Sequence, residues 1–142
     1  MLTAGDGRYR DYGITLFRVI LGVVFFMHGH LKFFGMGITG TTGFFTMLGV
    51  PLPGLMAWII PILEMLGGLS LILGIFTPIG LALAADMTGA ILFAKRGGGF
   101  FAPKGFELEL TLLVGSLAIV LTGPGAFALR NVIKGRRAAG GN

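Results

Sequence analysis

Ionisable side chains fall where lipid would be expected. Residues 18–32 read Arg-Val-Ile-Leu-Gly-Val-Val-Phe-Phe-Met-His-Gly-His-Leu-Lys, apolar enough for a bilayer yet carrying two cations and two imidazoles. On a helix turning about 100° per residue, Arg18, Gly22, Phe25, His28, Gly29 and Lys32 share roughly a third of the circumference, and Val19, Val23, Phe26 and His30 lie outside it. Ionisable groups in a membrane helix are costly, so they face a bundle interior or a wet cavity and find partners there. The acids within or beside the other apolar stretches are Glu64, Asp86, Glu107 and Glu109. A His or Lys that donates to a ligand oxygen, with buried carboxylates that hold and pass protons, is the chemistry such a set could perform.

At about 1.5 Å per residue, His28 and Lys32 are expected in the outer third of the membrane, Glu64 and Asp86 near its middle, and Glu107 and Glu109 at the outer mouth. This groups His28, Lys32, Glu64 and Glu107, with Asp86 nearby, as a candidate ligand or proton cluster. Glu109 lies about 200° from Glu107, so one of the two faces inward and the other reaches the interface; Glu107 is taken as the inward one. Lys32 has a second reading, snorkelling to the headgroups. Arg18 reads as an anchor, on a lipid phosphate or on a helix end. His28 and His30 point about 160° apart, so they cannot share one metal, and no metal-spaced cluster, phosphate loop or Ser–His–Asp set is present. The cluster has two readings: ion pairs that set helix register, or a pocket for a polar headgroup or a proton path.

The elements that must hold these groups follow from composition. The chain has 142 residues, 54% hydrophobic and 12% charged, with mean hydropathy +0.89. So short a domain could not bury that much apolar surface in water, and the bilayer removes the conflict. The pattern predicts an all-α, integral membrane four-helix bundle forming a single domain over residues 1–142. Its spans are expected at about 13–34, 55–76, 78–95 and 106–122, each long enough for most or all of a hydrocarbon core of about 30 Å. An aqueous tail over residues 1–12 precedes them. A short interfacial helix is expected at 42–48 in the first loop, stopped by Gly49 and Pro51-x-Pro53-Gly54, and another after the last span. Glycine is frequent (26 residues), and much of it lies inside the helices, where it permits close helix approach; Glu64 shares a face with Gly68.

The net charge is +5, but the basic residues sit at the ends of apolar segments, which sets orientation and argues against nucleic acid. Arg8, Arg10, Arg130, Lys134, Arg136 and Arg137 fall on the side of the termini, and Lys95, Arg96 and Lys104 on the other, which places both termini in the cytoplasm. Cysteine is absent, which excludes disulfides, thiolate zinc and iron–sulfur ligation by this chain.

The run Arg18-x-x-Leu21-Gly22-x-x-Phe25-x-x-His28-Gly29-x-x-Lys32, then Phe44/Phe45, Gly49-x-Pro51-x-Pro53, Glu64-x-x-Gly67-Gly68-x-x-Leu71-x-x-Gly74, Gly105-Phe106-Glu107 and Gly123-Pro124-Gly125 resembles the DoxX family of small four-helix membrane proteins. The resemblance runs from about residue 13 to 129. It departs where the family continues with Ser-Leu-Asp and this chain has Ala128-Leu129-Arg130. What it implies is a prokaryotic inner-membrane, multi-pass protein linked to redox chemistry, similar to a membrane subunit of thiosulfate:quinone oxidoreductase and to members of complexes that handle thiols and oxidative stress. The expectation is therefore at most the membrane subunit of an oxidoreductase, with quinone as its ligand and no complete catalytic machinery of its own. Its partners would be the lipid bilayer and either further copies of itself or a soluble or membrane redox protein. The alternatives are a non-enzymatic membrane scaffold or assembly protein, and an oligomeric carrier of small solutes or protons.

Overall fold

The computed structural model describes residues 7–140, and the first half of the expected aqueous tail lies outside them. From residue 7 onward the chain is helical, with no strand among the described residues. The elements are α1 (Gly7–His30), continued by a π-helical segment (Leu31–Gly35), α2 (Gly37–Met47), α3 (Pro53–Leu73), α4 (Ile79–Phe93), α5 (Glu107–Thr122) and α6 (Leu129–Ala139). Helix α1 packs on α3 and α4 on α5, while α3 meets α4 and α1 meets α5 to close a ring of four. Leu21, Phe25, Leu71, Leu83, Met87, Leu112 and Ile119, drawn from all four, form one buried core.

The α1–α3 contact is made backbone to backbone. A Cβ on Gly22 would stand 2.6 Å from the Gly68 carbonyl oxygen, and one on Gly68 would stand 2.5 Å from the Gly22 carbonyl oxygen. One end of the same seam is Gly29, where a Cβ would meet the Pro61 carbonyl oxygen at 2.6 Å. Pro61, inside α3, has no amide hydrogen to give the preceding turn. The small-residue seam thus sets the distance between these helices.

Several boundaries differ from the sequence expectation, each for a local reason. Helix α1 begins at least six residues early because nothing in residues 7–12 breaks it. The first-loop helix starts at Gly37, five residues earlier than expected. Helix α3 stops at residue 73, since Gly74 takes φ +68°, and the Ile75 and Gly74 amides donate to the Ser70 and Leu71 carbonyls at 3.1 and 3.2 Å, a Schellman ending. Residues 7–35 and 53–73 are long and apolar enough to cross a membrane. At 15 and 16 residues, α4 and α5 rise only about 22–24 Å.

Filling the seam tests its role. Gly68→Ala is expected to lower stability by about 1–3 kcal/mol through overpacking. Gly43→Ala, on α2 with nothing within 4 Å of a new Cβ, is expected to leave it unchanged or raise it by up to about 1 kcal/mol. Thermal unfolding in detergent compares the two.

Candidate functional site

The face predicted on α1 meets α3 at both of its ends. Toward the start of α1, Arg18 is fully buried and donates to the carbonyl oxygens of Leu71, Ile72 (3.0 Å) and Phe127 (2.7 Å). The first two belong to the last turn of α3, whose carbonyls lack the amide four residues on that a helix interior supplies. Arg18 therefore caps α3 and ties the chain after α5 to it. Lys32 lies fourteen residues further on, about 21 Å along the helix, and takes no part in that contact.

Lys32 reaches Glu64 on α3. Its Nζ lies 2.8 and 2.6 Å from the two carboxylate oxygens, and the Glu64 side chain is 1% exposed. Gly29 makes the approach possible: a Cβ there would stand 2.9 Å from the Cβ of Glu64. The π-helical segment widens the helix at Lys32, and the buried Thr41 hydroxyl of α2 donates to the Lys32 carbonyl oxygen at 2.7 Å. Asp86 on α4 interacts with both Glu64 and Lys32, and one of its oxygens, Oδ2, is buried without a hydrogen-bond partner.

Lys32, Glu64 and Asp86 line a cavity of about 670 Å³ walled mainly by apolar residues of α2, α3, α4 and α5, among them Phe45, Ile60, Leu63, Met87 and Leu112. Ala82, Ala85, Gly89 and Ala90 open the space on the α4 side. His28 also lines it, with Nδ1 2.9 Å from the Val24 carbonyl oxygen. Nδ1–H donates to that carbonyl, which leaves Nε2 of the neutral ring as an acceptor. His30 turns away and stacks with Phe26 and Phe34.

Glu107 does not join the others. Its Oε1 accepts the Ala102 amide at 2.8 Å, folding back over the loop before α5. Glu109 is the one that faces the cavity, 3.4 Å from Lys95, whose Nζ also donates to the Pro103 carbonyl at 2.7 Å. The rotation of about 200° between the two acids signals that one would turn inward; choosing between them requires the path of the loop. Lys95 and Thr41 carried no sequence signal beyond their types. Among the described residues no three His, Asp or Glu side chains are placed to hold a metal. The polar groups that could bind a ligand in the cavity are His28, Lys32, Glu64, Asp86, Lys95 and Glu109.

Comparison with known proteins identifies the family. The DoxX family model matches residues 13–96, the stretch that holds Arg18, Lys32, Glu64 and Asp86. The chain belongs to the DoxX family, and it is a membrane protein. It is similar to CatD of Bacillus subtilis (strain 168), 38% identical over 129 residues, which covers 89% of this chain and 92% of that protein. The name of CatD provisionally assigns it as an oxidoreductase. It is also similar to an uncharacterized membrane protein of Mycobacterium tuberculosis, 29% identical over 140 residues (90% of this chain, 85% of the relative). The Escherichia coli (strain K12) inner membrane protein YqjF is 28% identical over 128 residues (89% and 95%). No solved structure matches the chain.

The ion pair sets up a cycle. Lys32→Met leaves the Glu64 carboxylate buried and unpaired, a change expected to cost about 3–5 kcal/mol. Adding Glu64→Leu is expected to recover most of that loss, because an apolar replacement of both partners removes the uncompensated charge. Unfolding free energies of the two single variants and the double variant measure the coupling.

Proposed function

We propose that this chain is the membrane subunit of a redox system, that it crosses the prokaryotic inner membrane four times with both termini in the cytoplasm, and that its cavity binds an isoprenoid quinone. One observation carries the reading: an apolar cavity of about 670 Å³ that converges on Lys32, Glu64 and Asp86. That size suits a small-molecule site, in which apolar walls bind the bulk and a few polar groups fix orientation. The apolar walls suit a ring and the first units of a prenyl tail. A bound quinone supplies two-electron, two-proton chemistry. In this reading Lys32 donates to one of its carbonyl oxygens and His28 to another, His28 as an imidazolium that donates from Nε2 while Nδ1–H stays on the Val24 carbonyl. Asp86, with an unpartnered oxygen, is placed to hold or give up a proton. Electrons come from a partner protein in this reading, since the chain has no cysteine with which to hold an iron–sulfur cluster or form a dithiol.

The topology rests on length and charge. The 29 residues from Gly7 to Gly35 and the 21 of α3 fit a hydrocarbon core of about 30 Å. The shorter α4 and α5 are completed at one end by the loop that joins them. There Phe100 packs edge-to-face against Phe101 and Phe106, which gives the loop an apolar cluster of its own. Six basic residues fall on the side of the termini and three on the other, as the positive-inside bias requires of cytoplasmic ends.

A scaffold reading has one observation in its favour: Lys32 already occupies both Glu64 oxygens, so the pair by itself can serve as a helix clasp. Organic extraction of the purified protein separates the two. The wild type is expected to retain isoprenoid quinone through purification. Asp86→Asn and His28→Ala are expected to reduce the retained amount at least tenfold, with melting temperatures close to that of the wild type. Negligible quinone in all three, with folding intact, returns the cavity to the scaffold reading.

A further inference from the structure

Helix α6 is built unlike the rest of the molecule. Leu129–Ala139 has no buried residue and forms no packed interface with another helix of the kind that joins α1 to α3 or α4 to α5. It is nevertheless held at its root. The Arg130 amide donates to the Gly74 carbonyl at 3.3 Å, and Asn131 Nδ2 lies 3.0 and 3.2 Å from the carbonyl oxygens of Gly125 and Ala126. Ala128, just before the helix, is buried at the point where Arg18 caps α3. The direction in which α6 leaves the bundle is therefore fixed.

Its two faces differ. Leu129, Val132 and Ile133 fall within about 100° of arc and are 41%, 53% and 41% exposed. Arg130, Lys134 and Arg137 occupy an adjoining arc about 60° wide. Arg136 lies in line with the apolar residues at the far end, where its long stem can follow them and carry the charge outward. An exposed apolar stripe flanked by cations is the pattern of a helix lying in the membrane interface. The first turns of α1 come to the same end of the molecule, since Tyr12 stacks on Phe127 with ring centroids 5.5 Å apart. They add Arg10 to the four cations of α6, against Asp11 among the described acids. That surplus is complementary to anionic phospholipid, which the cytoplasmic leaflet presents.

We propose that α6 is a lipid-docking helix: Leu129, Val132 and Ile133 enter the boundary between headgroups and acyl chains, and Arg130, Lys134 and Arg137 bind the phosphates of anionic phospholipids. The proposal is independent of what occupies the cavity and rests on the topology proposed above, in which α6 lies at the cytoplasmic face.

The absence of cysteine makes site-specific labelling direct. Ile133→Cys, on the apolar face, and Ala138→Cys, about 180° away from the centre of that face, are labelled with a polarity-sensitive fluorophore. The full chain is placed in nanodiscs of phosphatidylcholine alone, or of phosphatidylcholine with one-quarter phosphatidylglycerol, each doped with a lipid carrying a shallow nitroxide quencher. In the anionic discs, quenching at position 133 is expected to exceed that at 138 severalfold. It is expected to fall at least twofold in the zwitterionic discs, and likewise when Arg130, Lys134 and Arg137 are all replaced by Gln. Equal, weak quenching at both positions in anionic discs overturns the proposal and leaves the apolar face to a protein partner. Strong quenching at 133 that is indifferent to lipid charge overturns the role given to the cations.

Discussion

Helices α1 and α3 touch through their backbones, and the contacts of Arg18 and Lys32 with α3 depend on that distance. With Gly22 and Gly68 facing one another and Gly29 set against Pro61, no side chain separates the two helices. Lipid supplies no hydrophobic drive for helices to associate, so close packing and interhelical hydrogen bonds must hold them. The seam provides the packing. Arg18 and Lys32 provide the hydrogen bonds on either side of it, one to the carbonyls that end α3 and one to Glu64. Both lie on the face that carries the glycines, so a spacing suited to one is also suited to the other. Were the helices further apart, by the width of a leucine, Lys32 and Glu64 would each be left as an uncompensated charge, which is the costly case.

A tight α1–α3 pair leaves the opposite problem on the α4 side. There α4 closes on α5 in the same manner, with a Cβ on Gly80 meeting the Ser116 carbonyl oxygen at 2.7 Å. The cavity opens between these two pairs, where α4 presents Ala82, Ala85, Gly89 and Ala90. The same class of residue thus does two things. Against a backbone it brings helices together, and facing large side chains across a gap it leaves room.

The sequence shows the first of these clearly. A 3.6-residue period places Arg18, Gly22, Phe25, Gly29 and Lys32 on one face, and Glu64 shares a face with Gly68, so the α1–α3 partnership is legible before any coordinates. The choice of Glu107 over Glu109 failed because it depends on a loop whose course is set by backbone hydrogen bonds such as Phe106 to Gly99 and Glu107 to Phe100, which no side-chain pattern encodes. The π-helical segment at Lys32 is equally silent in the sequence, since its extra width is held by the Thr41 hydroxyl of another helix. Helix α3 ends early at Gly74 although the apolar run continues to Phe76. Hydropathy reports what a residue will tolerate as surroundings, and the end of a helix is decided by a left-handed glycine and its hydrogen bonds.

The charges across the cavity support the ligand site proposed above over a clasp alone. Register alone could be set by Lys32 with Glu64 and by Lys95 with Glu109, two cations against two acids. Asp86 is a third acid with no cation of its own, and it sits among alanines and glycine on α4, where another alanine would cost nothing in packing. A carboxyl group held out of water without full hydrogen bonding is unfavourable, and Asp86 meets the other helices only through a pair, Lys32 and Glu64, that is already matched in charge. The cost is understandable if the group meets something that enters the cavity. Buried Oδ2 of Asp86 and Oε2 of Glu109 both lack partners, and both residues line the same space. A polar ligand, or water arriving with it, would complete the hydrogen bonding that the protein leaves open at these two atoms.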